Sequence, residues 1–217
     1  MEIISSEIQA KEVLRNYNDI VLVPTMGNLH DGHISLVNKA KELGKTIVSS
    51  IFVNPLQFGF NEDFDSYPRT LENDLEQLER AGSHFVFHPS EDILEDIKKR
   101  KASSLSRKMC GKTRPEHFDG VVTIVGKLFE VVRPQFAVFG LKDYQQFLII
   151  KNLITLSDFE IEIIGSPIVR EQDGLAMSSR NNLLTHDNRL LAPEIYKILN
   201  WIKDNISEKS NENLIKE

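Results

Sequence analysis

The stretch Ile20-Val21-Leu22-Val23-Pro24-Thr25-Met26-Gly27-Asn28-Leu29-His30-Asp31-Gly32-His33-Ile34-Ser35-Leu36-Val37-Asn38-Lys39-Ala40-Lys41-Glu42-Leu43-Gly44 carries the reading of the fold. Its first residues form an apolar run too short for a helix and bounded by turn residues, which marks a buried strand. From His33 onward Ile34, Leu36, Val37, Ala40 and Leu43 recur at helical spacing, and Gly44 supplies a helix end. The same alternation continues outward. Apolar runs at residues 20–24, 46–53, 85–87, 136–139 and 161–169 read as strands. Helical patterns occupy 33–43, 121–132, 143–156 and 186–206, and another follows Thr70, a fitting N-cap, with Leu71, Leu75 and Leu78 as its stripe and Gly82 at its end. Strands this apolar, alternating with helices, predict an α/β fold whose parallel sheet is covered by helices on both faces. Ligands of such sheets bind beyond the carboxyl ends of the strands.

Composition narrows the function. The 217 residues are 41% hydrophobic, within the ordinary globular range, and no apolar run approaches a membrane span. Lys and Arg number 26 against 32 Asp and Glu, a formal charge of -6, which argues against a surface built to grip nucleic acid or anionic lipid. An anion must then be held by a local site. The single cysteine, Cys110, has no internal disulfide partner, and the first twenty residues lack the apolar core of a signal peptide, so a soluble cytoplasmic protein is expected. The charged stretch 91–108 reads as a solvated helix, and residues 205–217 as a polar tail.

Four polar clusters follow strands. The first, Met26-Gly27-Asn28-Leu29-His30-Asp31-Gly32-His33, is a glycine-bearing turn opening a helix, where outward N–H groups and two imidazoles suit a phosphate. By itself the pair reads equally as capping or surface histidines, or as half of a zinc site for which no other Cys or His cluster supplies ligands. The second, Asn54-Pro55-Leu56-Gln57-Phe58, offers an uncharged donor and acceptor for a hydroxylated organic substrate. Gly140-Leu141-Lys142-Asp143-Tyr144-Gln145-Gln146 places a lysine at a helix start, a poor position for a merely structural cation. Last, Asp173-Gly174-Leu175-Ala176-Met177-Ser178-Ser179-Arg180-Asn181 sets two hydroxyls beside a guanidinium in a loop able to close on a triphosphate. There is no Walker loop and no Gly-x-Gly-x-x-Gly, and nothing supports Cys110 as a nucleophile.

Together with Ile51-Phe52-Val53, Tyr67-Pro68-Arg69 and Arg114-Pro115-x-His117-Phe118, these ordered motifs closely resemble the pantoate–beta-alanine ligase family of the HIGH-motif nucleotidyltransferases, over the chain to about residue 200. The resemblance implies a Rossmann-like domain over residues 1–182, with residues 183–217 the start of a small C-terminal lid domain that is otherwise missing. It implies condensation of pantoate with beta-alanine through a pantoyl adenylate, with ATP and Mg2+, the cation held mainly through the phosphates. Carried over by position, ATP falls on Met26 to His33, Gly140, Leu141, Lys142, Asp143, Val169, Met177, Ser178, Ser179 and Arg180. Gln57 and Gln146 hold pantoate, and His33 corresponds to the proton donor, with His30, Lys142, Ser178, Ser179 and Arg180 facing the developing charge. Leu141 and Cys110 stand where many members carry Glu, so no carboxylate role is transferred to either. The region between Pro89 and Arg114 is shorter than usual and lacks the family's Tyr-Pro-x-Gly turn. A homodimer is implied as well, with neither nucleic acid nor membrane as partner. The rival readings are a cofactor adenylyltransferase of the same superfamily and a non-catalytic nucleotide-binding module.

Overall fold

A computed structural model describes residues 1–44 and 46–206, so the expected polar tail lies, from residue 207 on, outside the described residues. The chain divides into two compact units, Met1–Pro167 and Ile168–Glu217. Six strands build the first: β1 (Glu2–Ile4), β2 (Ile20–Thr25), β3 (Thr46–Ile51), β4 (Phe85–Phe87), β5 (Phe136–Gly140) and β6 (Glu162–Ser166). All pair in parallel, in the order β1-β4-β3-β2-β5-β6. Its main helices are α1 (Glu7–Leu14), α2 (Asp31–Glu42), α3 (Leu71–Ala81), the single turn α4 (Cys110–Thr113), α5 (His117–Val132) and α6 (Tyr144–Thr155).

The alternation of side chains along each strand sorts the core into two layers. Val21, Val23, Ile47, Ile51, Val86 and Val138 point to one face and pack with Leu36, Val37 and Ala40 of α2 and Leu78 and Ala81 of α3. Leu22, Val48, Phe85, Phe87, Ala137 and Phe139 point to the other, against α1, α5 and α6. The sheet is therefore Rossmann-like, with helices on both faces. Moving outward from β2, the chain runs through β3 and β4 on one side and through β5 and β6 on the other. β2 and β5 are neighbours at that reversal, paired at Val21–Phe136 and Leu22–Ala137, and the carboxyl edge of such a reversal is where α/β sheets bind ligands.

Several expectations are corrected. The sequence pattern does not reveal β1 and α1, because three residues at a sheet edge leave no periodic signal; pairing with β4 defines the strand. The strand expected over 46–53 stops at Ile51, since its partner β2 turns away after Thr25, and the last stops at Ser166 before Pro167, which has no N–H to give a ladder. Residues 91–108 do not form a helix. Two 3-10 turns, Glu91–Leu94 and Ser104–Arg107, flank extended chain. Side chains of α5 capture its amides there: Arg100 N donates to Thr123 Oγ1 at 3.0 Å and Ala102 N to Asp119 Oδ1 at 2.8 Å, while Ile93 is buried. Thr70 occupies the N-cap position of α3 but makes no cap bond; its hydroxyl donates to Asp74 Oδ1 at 3.1 Å.

In the second unit the expected helix over 186–206 is broken at Pro193 into α7 (His186–Leu191) and α8 (Glu194–Asn205), as a proline lacking an N–H requires. Before them, residues 169–177 fold back about Asp173-Gly174: Arg170 bridges to Ala176, and Met177 N donates to Val169 O at 3.0 Å.

Candidate active site

The sequence of the first turn dictates its path. Gly27 (φ +79°) and Asn28 (φ +49°) take left-handed conformations that suit glycine and asparagine, and they reverse the chain so that Leu29 enters the core. His30 then arrives in extended conformation as the N-cap of α2. Its Nδ1 accepts from Gly32 N at 3.1 Å, and Nδ1 of His33 accepts from His30 N at 3.4 Å. The two rings lie 4.1 Å apart between centroids. The capping reading of the histidines is therefore realised. The expectation of outward backbone donors is largely overturned: Gly27 N donates to Thr25 Oγ1, Asn28 N and Leu29 N to Asp74, and His33 N to His30 O. With those amides engaged inside the protein, the turn does not present the row of backbone donors that the sequence suggests.

Their protonation follows from the same bonds. A backbone N–H can only donate, so each Nδ1 is an acceptor and each neutral ring carries its proton on Nε2. His33 is pushed down to about 3, first by burial and then by the positive charges of His30 and Lys142. At neutral pH His33 is a neutral Nε2–H donor. The unfolded chain takes up this proton near 6.5 and the folded chain only near about 3, so stability is complete above that window and is lost as pH falls through it. The slope reaches at most about 1.4 kcal/mol per pH unit. Urea unfolding from pH 7 to pH 4 is expected to show a shallower loss of stability in His33→Gln than in the wild type; parallel curves would contradict the assignment.

Gln57 closes a 3-10 turn, Pro55–Gln57, begun by Asn54, which is 1% exposed. Asn54 Oδ1 accepts from Leu56 N, while its Nδ2 donates to Gln57 Oε1 at 3.0 Å and to Gly120 O at 3.2 Å. With Oε1 so engaged, the amide is oriented, and Gln57 Nε2 rests on Met26 Sδ at 2.9 Å. A thioether is a weak acceptor, so this NH2 is available to a better one, such as a carboxylate or hydroxyl. The main chain of Gln57 is held too: His117 Nδ1 donates to Gln57 O at 2.7 Å and Arg114 Nη1 to His117 Nε2 at 3.3 Å. Glu62 pairs with Arg114, 2.6 Å from its Nε, and the guanidinium keeps that carboxyl below its ordinary value. Burial, followed by the charge of Arg114, keeps His117 low; its backbone bond to Gln57 works in the opposite direction.

Lys142 lies just beyond β5 in a 3-10 turn, Leu141–Asp143, exposed and 3.5 Å from Asp143. It follows β5, the strand next to β2, and its positive charge is one of those that hold His33 low. Gly140 ends β5, and Gln146 sits on the first turn of α6, partly buried. Met26, His30, His33 and Gln57 thus lie at the carboxyl edge of β2 and β3, and Lys142 follows the carboxyl end of the neighbouring β5. Val169, Met177, Ser178, Ser179 and Arg180 belong to the second unit. There Arg189 clamps Glu171 and Asp173, each at 2.6 Å, and the Arg170 guanidinium lies 3.8 Å over the Tyr196 ring; Ser178 Oγ accepts from Arg180 N at 3.3 Å.

Two residues of the site go unnoticed in the sequence. Glu62 leaves no signal. Asp74 does: three residues after Leu71 and four before Leu78, it is a charge on the apolar stripe of α3, and it is buried.

Fold and site define a Rossmann-like α/β protein whose switch point is lined by imidazole, ammonium and amide donors. The family model for pantoate-beta-alanine ligase matches residues 2–217. Pantothenate synthetase of Psychrobacter arcticus is 52% identical over 194 residues, 88% of this chain and 67% of that protein; this chain thus spans about two thirds of that relative's length. Among solved structures, pantothenate synthetase from Thermus thermophilus superposes with a TM-score of 0.90 at 39% identity, covering 96% of this chain and 76% of its own. Pantoate-beta-alanine ligase from Francisella tularensis, solved with beta-gamma ATP and beta-alanine, gives 0.85 at 36%, covering 92% and 79%. The chain belongs to the pantoate–beta-alanine ligase family.

Proposed function

We propose that this chain joins pantoate to beta-alanine with cleavage of ATP, through a pantoyl adenylate. The observation that carries the reading is the His30–His33 pair at the carboxyl end of β2, beside the strand that leads to Lys142, while Asn54 aims the Gln57 amide across Met26. In the first step a pantoate carboxylate oxygen attacks the α-phosphorus of ATP, a P–O bond forms, and the bond to the β-phosphate oxygen breaks to release pyrophosphate. In the second the beta-alanine amine attacks the acyl carbon, AMP leaves, and the nitrogen's proton passes to solvent. No covalent enzyme intermediate is required. The protein positions the carboxylate and meets charge building on pyrophosphate with the Nε2–H of His33 and the ammonium of Lys142. The proton-donor role of His33 is accordingly exercised from a neutral ring.

Family membership supports extending ATP contacts to Met26–His33, Gly140–Asp143, Val169 and Met177, phosphate contacts to Ser178, Ser179 and Arg180, and a pantoate contact to Gln146. Among the described residues no group of three or more His, Cys, Asp or Glu is arranged for a metal ion. Mg2+ is proposed to ride on the phosphate oxygens of ATP, whose charge it would offset. A homodimer and a cytoplasmic setting belong to the same proposal; among the described residues no helix is long and apolar enough to cross a membrane.

Pyrophosphate release from ATP on adding pantoate tests the reading, and its absence in folded, ATP-binding protein would instead indicate a non-catalytic module. Gln57→Leu is expected to raise the KM for pantoate by about tenfold, leaving that for ATP within about twofold, the loss of one or two hydrogen bonds from an oriented amide.

A further inference from the structure

Asp74 lies beneath the histidine turn without belonging to it. Both carboxylate oxygens are committed: Oδ2 accepts from Asn28 N at 2.9 Å, and Oδ1 from Leu29 N at 2.8 Å and from the Thr70 hydroxyl at 3.1 Å. The residue is 1% exposed. A leucine at this place in the stripe of α3 would bury apolar surface without desolvating a charge, so stability alone does not call for a carboxylate here. What does call for one is the turn. Two successive N–H groups, of left-handed Asn28 and of Leu29 after it, converge on it and have no strand or helix partner, and a carboxylate offers each its own oxygen. The approach is so close that a Cβ on Gly27 would stand 2.9 Å from Oδ2 and 3.2 Å from Ile51 Cγ2.

We propose that Asp74 is a positioning residue for the reaction, resting on the function proposed above. It pins Asn28 and Leu29, thereby sets the direction in which His30 enters the helix, and through the reciprocal Nδ1 caps fixes where the Nε2–H groups of His30 and His33 point. It touches no substrate. An amide at this place has one acceptor oxygen and turns an NH2 toward one of the two N–H donors, so Asp74→Asn releases one side of the turn at almost constant volume.

The test combines three readouts on Asp74→Asn: steady-state pyrophosphate release, the ring 15N signals of His30 and His33, and the thermal midpoint. The expected result is a kcat lowered about 30-fold or more, as befits a catalytic group displaced by a fraction of its reach. The KM for pantoate stays within about threefold, because Gln57 is held by Asn54 independently. The Nδ1 signals move away from the hydrogen-bonded acceptor position. Unchanged ring signals with kcat within about threefold would overturn the proposal. So would a rate loss matched by the fraction of protein unfolded. If Asp74→Asn does not fold, Thr70→Val, which removes one bond to Oδ1, decides by the same readouts: a smaller fall in kcat with ring signals shifted the same way supports the role, and no change in either refutes it. Should the wild-type chain release no pyrophosphate, the proposed activity fails, whereas the ring signals of the variant still show whether Asp74 sets the turn.

Discussion

Alanine in place of Lys142 or His33 is expected to lower pantoate-dependent pyrophosphate release by at least about a hundredfold in a protein that remains folded, on the scale of a lost oxyanion donor. Lys142 is exposed and pairs with its neighbour Asp143, so its removal costs the fold little. The ammonium nevertheless bears on the chemistry twice. In the proposed reaction it faces charge growing on the leaving group, and its positive charge helps hold His33 low. Lys142→Ala is therefore also expected to raise the pKa of His33, by less than burial lowers it, which NMR titration of the ring would read. For His33→Ala the loss comes from the missing Nε2–H, together with the cap on His30 N. Near-normal pyrophosphate release by both variants would remove the chemical roles assigned to them.

The second large effect lies in the core. Gly120, within α5, faces the 3-10 turn that ends in Gln57, and a Cβ there would stand 1.9 Å from Leu56 O and 2.7 Å from Gln57 N. Both are backbone atoms, which cannot swing aside as a side-chain tip could, so helix and turn must separate. Gly120→Ala is expected to destabilise the protein by about 3 kcal/mol or more, at the high end of overpacking. For a chain of this length that is a fall in thermal midpoint on the order of 5–10 °C. The separation also stretches the bond from Asn54 Nδ2 to Gly120 O, loosening the residue that orients Gln57. The KM for pantoate is expected to rise with the loss of stability. A midpoint within about 2 °C of wild type would show that the turn is free to move.

Much of this is legible in the residues. The central strands are evident because each is a continuous apolar run, and α2 and α3 because their stripes end in glycine; that Met26–His33 and Gly140–Asp143 follow strand ends is read from the sequence, whereas their place at the reversal of strand order is not. Residues 91–108 mislead because charge density signals solvent exposure, while the deciding partners, Thr123 and Asp119, lie elsewhere in the chain. The histidine turn shows the same limit at the level of chemistry. Its glycines and imidazoles announce a site, but that its amides are already engaged by Thr25, Asp74 and His30 depends on a carboxylate 45 and 46 positions away.

The amino-acid order by itself determined the layered α/β architecture and which strand ends carry chemistry, since hydrophobic period and turn residues act over a few neighbours. Tertiary structure alone decided the working state of those groups: which amides are consumed, which nitrogen of His33 bears the proton, and which way the Gln57 amide faces. Each of these is settled by a hydrogen bond or a loss of hydration that exists only when distant segments are brought within about 3 Å.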